Sequence, residues 1–139
     1  MPAMRRSAFF SCVALAAISL SLYAQELALP LKTDSVRFAA IGDMGTGKKP
    51  QYELAEQMIA YRRKFPFDFV IALGDNIYGG NDPSDYESKF ERPYKPLLDA
   101  GVKFYAALGN HDSPNQRFYK FFNMNGQQYY TYKKGSVRF

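Results

Sequence analysis

The 139-residue chain has a single cysteine, Cys12, and a single histidine, His111. Cys12 falls in an apolar amino-terminal stretch, so the rest of the chain has no thiol and cannot be stapled by disulfides even in an oxidising compartment. The 18 lysines and arginines are scattered and form no basic stripe interleaved with aromatics, which leaves nucleic-acid binding without support. There is no internal repeat, low-complexity tract or long linker, so nothing divides the chain into several units. With one imidazole available, a metal site built from this chain has to draw mainly on oxygen donors.

The amino terminus reads as a targeting segment. Arg5 and Arg6 precede an apolar run from Ala8 to Leu22 without an acidic residue, the layout of a secretory signal covering residues 1–24. At about 15 residues the run is short for a membrane span, which takes about 20. Leu22 stands where a small residue is preferred for cleavage, so a retained anchor is the alternative. The arginine pair also hints at twin-arginine export. The expected location is secreted or periplasmic, with membrane contact only through this segment. Residues 25–139 then form one domain with 16 basic and 13 acidic residues, and the mild positive excess suits an anionic substrate.

Strand and helix patterns alternate along that domain. Val36 to Ile41, Phe67 to Leu73 and Val102 to Leu108 are β-rich apolar runs. Between the first two, Pro50 opens a helical pattern with Leu54, Ala55, Met58 and Ile59 on one face, and Pro66 closes it. Between the second and third, Ser84 and Glu87 form a capping-box pattern ahead of Tyr86, Phe90, Tyr94, Leu97 and Leu98. Phe118, Phe121 and Phe122 predict a short core helix. Asn125-Gly126 predicts a turn, and Gln128 to Lys133 with Ser136 to Phe139 predict a hairpin turning at Lys134-Gly135. This alternation predicts an α/β fold with a parallel sheet whose strand ends share one edge.

A short polar motif follows each strand: Gly42-Asp43, Gly74-Asp75-Asn76-Ile77-Tyr78 and Gly109-Asn110-His111-Asp112. Each joins a glycine that permits a sharp turn to side chains that bind hard metals. Taken singly, these are ordinary turn formers. Taken together, with Asp43, Asp75 and Asn110 successively 32 and 35 residues apart, they converge on the sheet edge where α/β folds bind ligands. A rival reading makes Gly42 to Lys49 a phosphate-cradling loop. Lys49 stands against it, since that position should offer a hydroxyl to magnesium, and Pro50 removes a backbone donor. Asn76, Asn81 and Asp82 read as loop formers, and Asp112 as a turn or supporting residue.

These blocks resemble the first three signature blocks of the calcineurin-like metallophosphoesterases, and Tyr78 narrows the likeness to the purple acid phosphatase branch, especially its short, tartrate-resistant-like members. The resemblance runs from about Val36 to Phe139. It implies the amino-terminal half of an α/β sandwich of sheets flanked by helices. It also implies that Asp43 and Tyr78 bind Fe(III), that Asp75 bridges to a second divalent metal (Fe, Zn or Mn), and that Asn110 binds the second metal. His111 is then the catalytic neighbour that contacts phosphate or donates a proton. The implied reaction is hydrolysis of a small phosphate monoester, with hydroxide generated at the metal pair as the nucleophile.

The family's later blocks, which supply three imidazole ligands, have no counterpart after His111. The expectation is therefore a truncated chain, inactive by itself, with an open sheet edge and an exposed apolar face. The alternative is a catalytically dead fragment serving as a metal- or partner-binding module.

Overall fold

The computed structural model describes residues 32–139, so the expected export segment and Cys12 lie outside the described residues. Three strands, β1 (Phe38–Ile41), β2 (Phe69–Ala72) and β3 (Lys103–Ala106), form a parallel sheet in that spatial order. Phe38 lies opposite Phe69, and Phe69 opposite Lys103. Each strand is shorter than its apolar run, but backbone bonds continue past the regular ladder. Leu73 N–H donates to Ile41 O, Ala107 N–H to Ala72 O, and Asp43 N–H to Gly74 O at 3.1 Å. The first two motif loops therefore leave the sheet side by side.

Register divides the strand residues between two faces. Ile41, Val70, Ala72, Phe104 and Ala106 belong to the main core, where Phe104 meets Phe90 edge-on and Tyr94 at a tilt. Helix α1 (Lys49–Lys64) carries Pro50 in its first turn and Arg62, Arg63 and Lys64 in its last, where cations complement the helix dipole. Its buried residues are Gln51 and Ala55, with Met58 and Ile59 packed at the core margin. Leu54, expected on the same face, is instead 46% exposed. Gln51 takes the buried position because its amide reaches partners on the next helical segment.

That segment begins with α2 (Pro83–Tyr86), passes through a π turn over Glu87–Glu91 and continues as α3 (Arg92–Asp99). The helix starts after Asp82, not at the Ser84-Glu87 capping box, and Asp85 Oδ2 accepts from Asp82 N–H at 3.4 Å. Pro93 has no N–H to offer Lys89 in an α pattern or Ser88 in a π pattern. Both carbonyls find donors on α1, Lys89 O from Gln51 Nε2 and Ser88 O from the Tyr52 hydroxyl. The missing N–H leaves the helix one donor short at this level, and α1 docks on the pair of carbonyls there.

The phenylalanine-rich stretch forms two 3-10 turns, Pro114–Phe118 and Lys120–Phe122. Phe122 is buried as expected, but Phe118 is 65% exposed and lies under the Arg117 guanidinium. Asn125 and Gly126 both have positive φ and are closed by Gln127 N–H to Met124 O, the geometry that an Asn-Gly pair favours.

Strands β4 (Lys133–Lys134) and β5 (Val137–Arg138) pair antiparallel. The hairpin therefore turns at Gly135-Ser136, one residue later than expected. Only Tyr132, bonded both ways to Phe139, extends the ladder toward Gln128. Tyr132 and Phe139 pack on Phe69, and Tyr132 stacks on Tyr105 with ring centroids 3.7 Å apart. The second sheet face is thereby largely covered, with Phe69 buried and Phe38 left 44% exposed. Along β3, Asn123 Nδ2 donates to Phe104 O and the Tyr130 hydroxyl to Ala106 O, so part of the expected open edge is capped by side chains.

Asp112 joins the second and third motif loops. Its Oδ1 accepts from Asn76 N–H at 2.8 Å and Ile77 N–H at 3.1 Å, while Oδ2 accepts from Asn76 Nδ2 and Gly109 N–H, both at 2.8 Å. Asn76 is fully buried and also donates to Ala107 O, so it is a structural crosslink and not merely a loop former. Asp112→Ala strands these donors, and the expected loss is about 2–3 kcal/mol. Urea unfolding followed by circular dichroism measures it.

Burial pushes the Tyr94 and Tyr130 phenols up to about 12, and burial followed by the Glu91 hydrogen bond raises Tyr119 as well. Unfolded tyrosines ionise near pH ~10 while these folded phenols keep their protons. Their contribution to stability is complete below that pH and is lost as pH rises toward 12. The urea midpoint should consequently fall steadily above pH ~10, and a flat profile there would contradict this assignment.

Candidate metal centre at the sheet edge

Asp43, Asp75 and Tyr78 meet beyond the ends of β1 and β2. The Tyr78 hydroxyl lies 2.7 Å from Asp43 Oδ1 and 2.9 Å from Asp75 Oδ2, donating its one proton between two carboxylates. Both aspartates adopt the left-handed conformation, Asp43 with φ 54° and Asp75 with φ 53°. Aspartate tolerates this region better than most residues, at a cost of about 1–2 kcal/mol. The strain turns each carboxylate off its strand toward the shared hydroxyl.

Gly109 brings the third loop against Asp75. A Cβ at Gly109 would overlap the Asp75 carboxylate and its backbone nitrogen, so only glycine allows this approach. His111 N–H donates to Asp75 Oδ1 at 3.2 Å, and the His111 ring lies 5.2 Å from the Tyr78 ring, tilted by 41°. Asn110 lies in the same loop with an exposed side chain, and among the described residues no hydrogen bond ties that side chain to the others. Gly45 has a matching role in the first loop. A Cβ there would run into the Asn76 carbonyl, and Gly45 O accepts from Tyr78 N–H at 3.0 Å.

Burial pushes the Asp75 carboxyl up, but hydrogen bonds from Tyr78 and His111 N–H and the nearby His111 charge outweigh it and hold it below the usual carboxylate range. The hydrogen bond to Asp43, then that to Asp75, raises the Tyr78 phenol well above the ordinary tyrosine value. Two carboxylates converging on one hydroxyl make a small anionic focus.

Two carboxylates and a phenol meet here, oxygen donors of the kind a hard cation takes, with the Asn110 amide carried on the neighbouring loop. Among the described residues no cluster of three or more His, Cys, Asp and Glu side chains gathers. Of the residues expected from sequence, the structure brings Asp43, Asp75, Tyr78 and His111 into contact, with Asn110 one residue along the same loop. Sequence reasoning missed the supporting roles of Gly45 and Asn76. The signal for Asn76 was present, since an amide flanked by Asp75 and Ile77 at a strand end is placed to crosslink loops.

A family model described as calcineurin-like phosphoesterase matches residues 36–138. The chain is 42% identical over 85 residues to purple acid phosphatase 7 of Arabidopsis thaliana, an overlap of 56% of this chain and 25% of that protein. It is 30% identical over 90 residues to tartrate-resistant acid phosphatase type 5 of Mus musculus, covering 58% of this chain and 28% of that one. It is also 36% identical over 45 residues to the probable inactive purple acid phosphatase 14 of Arabidopsis thaliana, covering 32% and 11%. The chain thus spans only about a quarter, or less, of the length of these relatives. No solved structure gives a significant match. With the family model covering most of its length, the chain belongs to the calcineurin-like phosphoesterase family.

Proposed function

We propose that this chain carries the amino-terminal part of a purple acid phosphatase-type metal centre, acting on small phosphate monoesters. The observation that carries the reading is the Tyr78 hydroxyl held between Asp43 and Asp75. In this reading Asp43, Asp75 and Tyr78 hold Fe(III), and Asp75 also faces a second divalent ion (Fe, Zn or Mn) together with Asn110. A bound metal pair supplies an activated water and a Lewis-acid hold on phosphoryl oxygens.

The remaining roles belong to the chain itself. Asp75 keeps its charge because its hydrogen bonds favour the carboxylate, which suits it to offset cations. The His111 imidazole, exposed beside the Tyr78 ring, is placed to contact a phosphoryl oxygen or to give a proton to the departing ester oxygen. Its backbone N–H keeps the Asp75 carboxylate oriented. The amino-terminal sequence pattern, read as an export signal over residues 1–24, supports a secreted or periplasmic reaction.

A second reading, a binding module without turnover, draws on the sparse donor set. Two carboxylates, a phenol and one amide offer the second ion only Asp75 and Asn110.

Two experiments bear on the proposal. Titrating the purified chain with Fe(III) should produce a visible phenolate-to-iron charge-transfer band that is absent in Tyr78→Phe. Asp75→Asn should weaken iron binding about tenfold or more by removing the bridging charge. A band of equal strength in Tyr78→Phe would remove the purple acid phosphatase assignment and leave the family membership intact.

The chain taken alone is expected to turn over p-nitrophenyl phosphate no faster than Asp75→Ala when supplied with iron and zinc or manganese. Metal-dependent turnover that disappears in Asp75→Ala would show that the donors present suffice.

A further inference from the structure

Lys89 is absent from every motif, yet it reaches the Tyr78 main chain, Asp85, α1 and the first loop at Gly47. It lies in the π turn, and its side chain is only 20% exposed. Its Nζ donates to Tyr78 O at 2.7 Å and pairs with the Asp85 carboxylate. Its stem runs beneath Gly47, where a Cβ would come within 3.0 Å of Lys89 Cγ. Its carbonyl accepts from Gln51 Nε2, and Gln51 Oε1 accepts from Gly47 N–H at 2.6 Å.

Tyr78 needs such support because Gly79 and Gly80 follow it. Gly79 has φ 82°, and neither residue has a side chain to brace the turn. A Cβ at Gly80 would overlap the Asp85 carboxylate, so the ion pair closes directly over this loop. The peptide groups flanking Tyr78 are then held on both sides, by Gly45 O on its N–H and by Lys89 Nζ on its carbonyl. An ammonium gives this grip without adding net charge near the site, since Asp85 neutralises it. A π turn inserts one extra residue into the helical register and so re-aims the side chains on it.

We propose that Lys89 is a positioning residue, which fixes the Tyr78 main chain so that the phenol lands between Asp43 and Asp75. Its consequence for metal binding rests on the function proposed above, while its effect on Tyr78 does not.

The test reads Tyr78 directly in the purified, metal-free chain. His111 is the only histidine, so a nuclear Overhauser cross-peak between its ring and the Tyr78 ring is unambiguous once Tyr78→Phe assigns the tyrosine partner. Lys89→Met keeps the stem and removes the donor. It should reduce this cross-peak several-fold and shift the Tyr78 ring signals while far-ultraviolet circular dichroism stays unchanged. Lys89→Arg, which restores a cation, should recover the cross-peak. Iron affinity of Lys89→Met should also fall about tenfold, as for other residues that orient metal ligands.

A cross-peak of wild-type strength with unmoved Tyr78 signals in Lys89→Met overturns the inference, whatever iron does. If the wild type binds no iron but Lys89→Met loses the cross-peak, the metal reading fails and the positioning role stands. Should Lys89→Met not fold, Lys89→Gln, which removes the ammonium and shortens the reach to Tyr78 O but keeps a polar head for Asp85, carries the same test. It should weaken the cross-peak, and an unchanged cross-peak there overturns the inference.

Discussion

The Asp112 carboxylate is the interaction on which the rest of the site depends. Parallel strands deliver three loops to one edge, but the ladder ends before those loops acquire their shape. Past that point Asp112 takes over, accepting from Asn76, Ile77 and Gly109 and so joining the loop after β2 to the loop after β3. A charged acceptor shared by several backbone donors is stronger than neutral pairs and specific in direction. It is what allows Gly109 to press against Asp75 and His111 N–H to reach Asp75 Oδ1.

Strain and support are distributed around this anchor. Asp43 and Asp75 adopt left-handed conformations that most residues avoid, and such strain persists only where the surroundings over-determine it. Here they do so through Gly45, whose missing side chain admits the Asn76 carbonyl, and through Asn76 itself, buried and bonded to Asp112 and Ala107. The π turn belongs to the same logic. Pro93 leaves the helix one donor short, α1 donates to the Ser88 and Lys89 carbonyls at that level, and the helix pair is thereby locked at the register that carries Lys89 under the first loop.

The second sheet face shows a different solution. Tyr132 and Phe139 seal Phe69 and Tyr105 with stacked and edge-on rings, and Lys134 Nζ lies 5.3 Å from the Phe69 centroid. A two-residue ladder is marginal by itself, so the hairpin is held mainly by aromatic packing on the sheet. This explains why the strand expected from Gln128 is mostly irregular. Its side chains are placed by the rings beneath them and not by a continuing ladder.

The parallel α/β order, a helix opening around Pro50, the Asn125-Gly126 turn and the three-motif set are all legible in the sequence, because these follow from local backbone preference and apolar periodicity. The sequence also carried the family likeness through Asp43, Asp75, Tyr78, Asn110 and His111. Packing between separate elements settled that Gln51 is buried while Leu54 is exposed, that Phe118 leaves the core, that the hairpin turns at Gly135-Ser136, which donors the supporting residue Asp112 grips, and that Asn76 and Lys89 brace the loops. Those outcomes depend on partners set by packing and not by local pattern, such as Gln51 on Lys89 O, 38 residues away, Asp112 on Asn76, 36 away, and Lys89 on Tyr78 O, 11 away. Local pattern carries no information about which distant donor will fill a given acceptor. That is settled when the sheet edge brings the loops together and buried backbone donors and acceptors are paired.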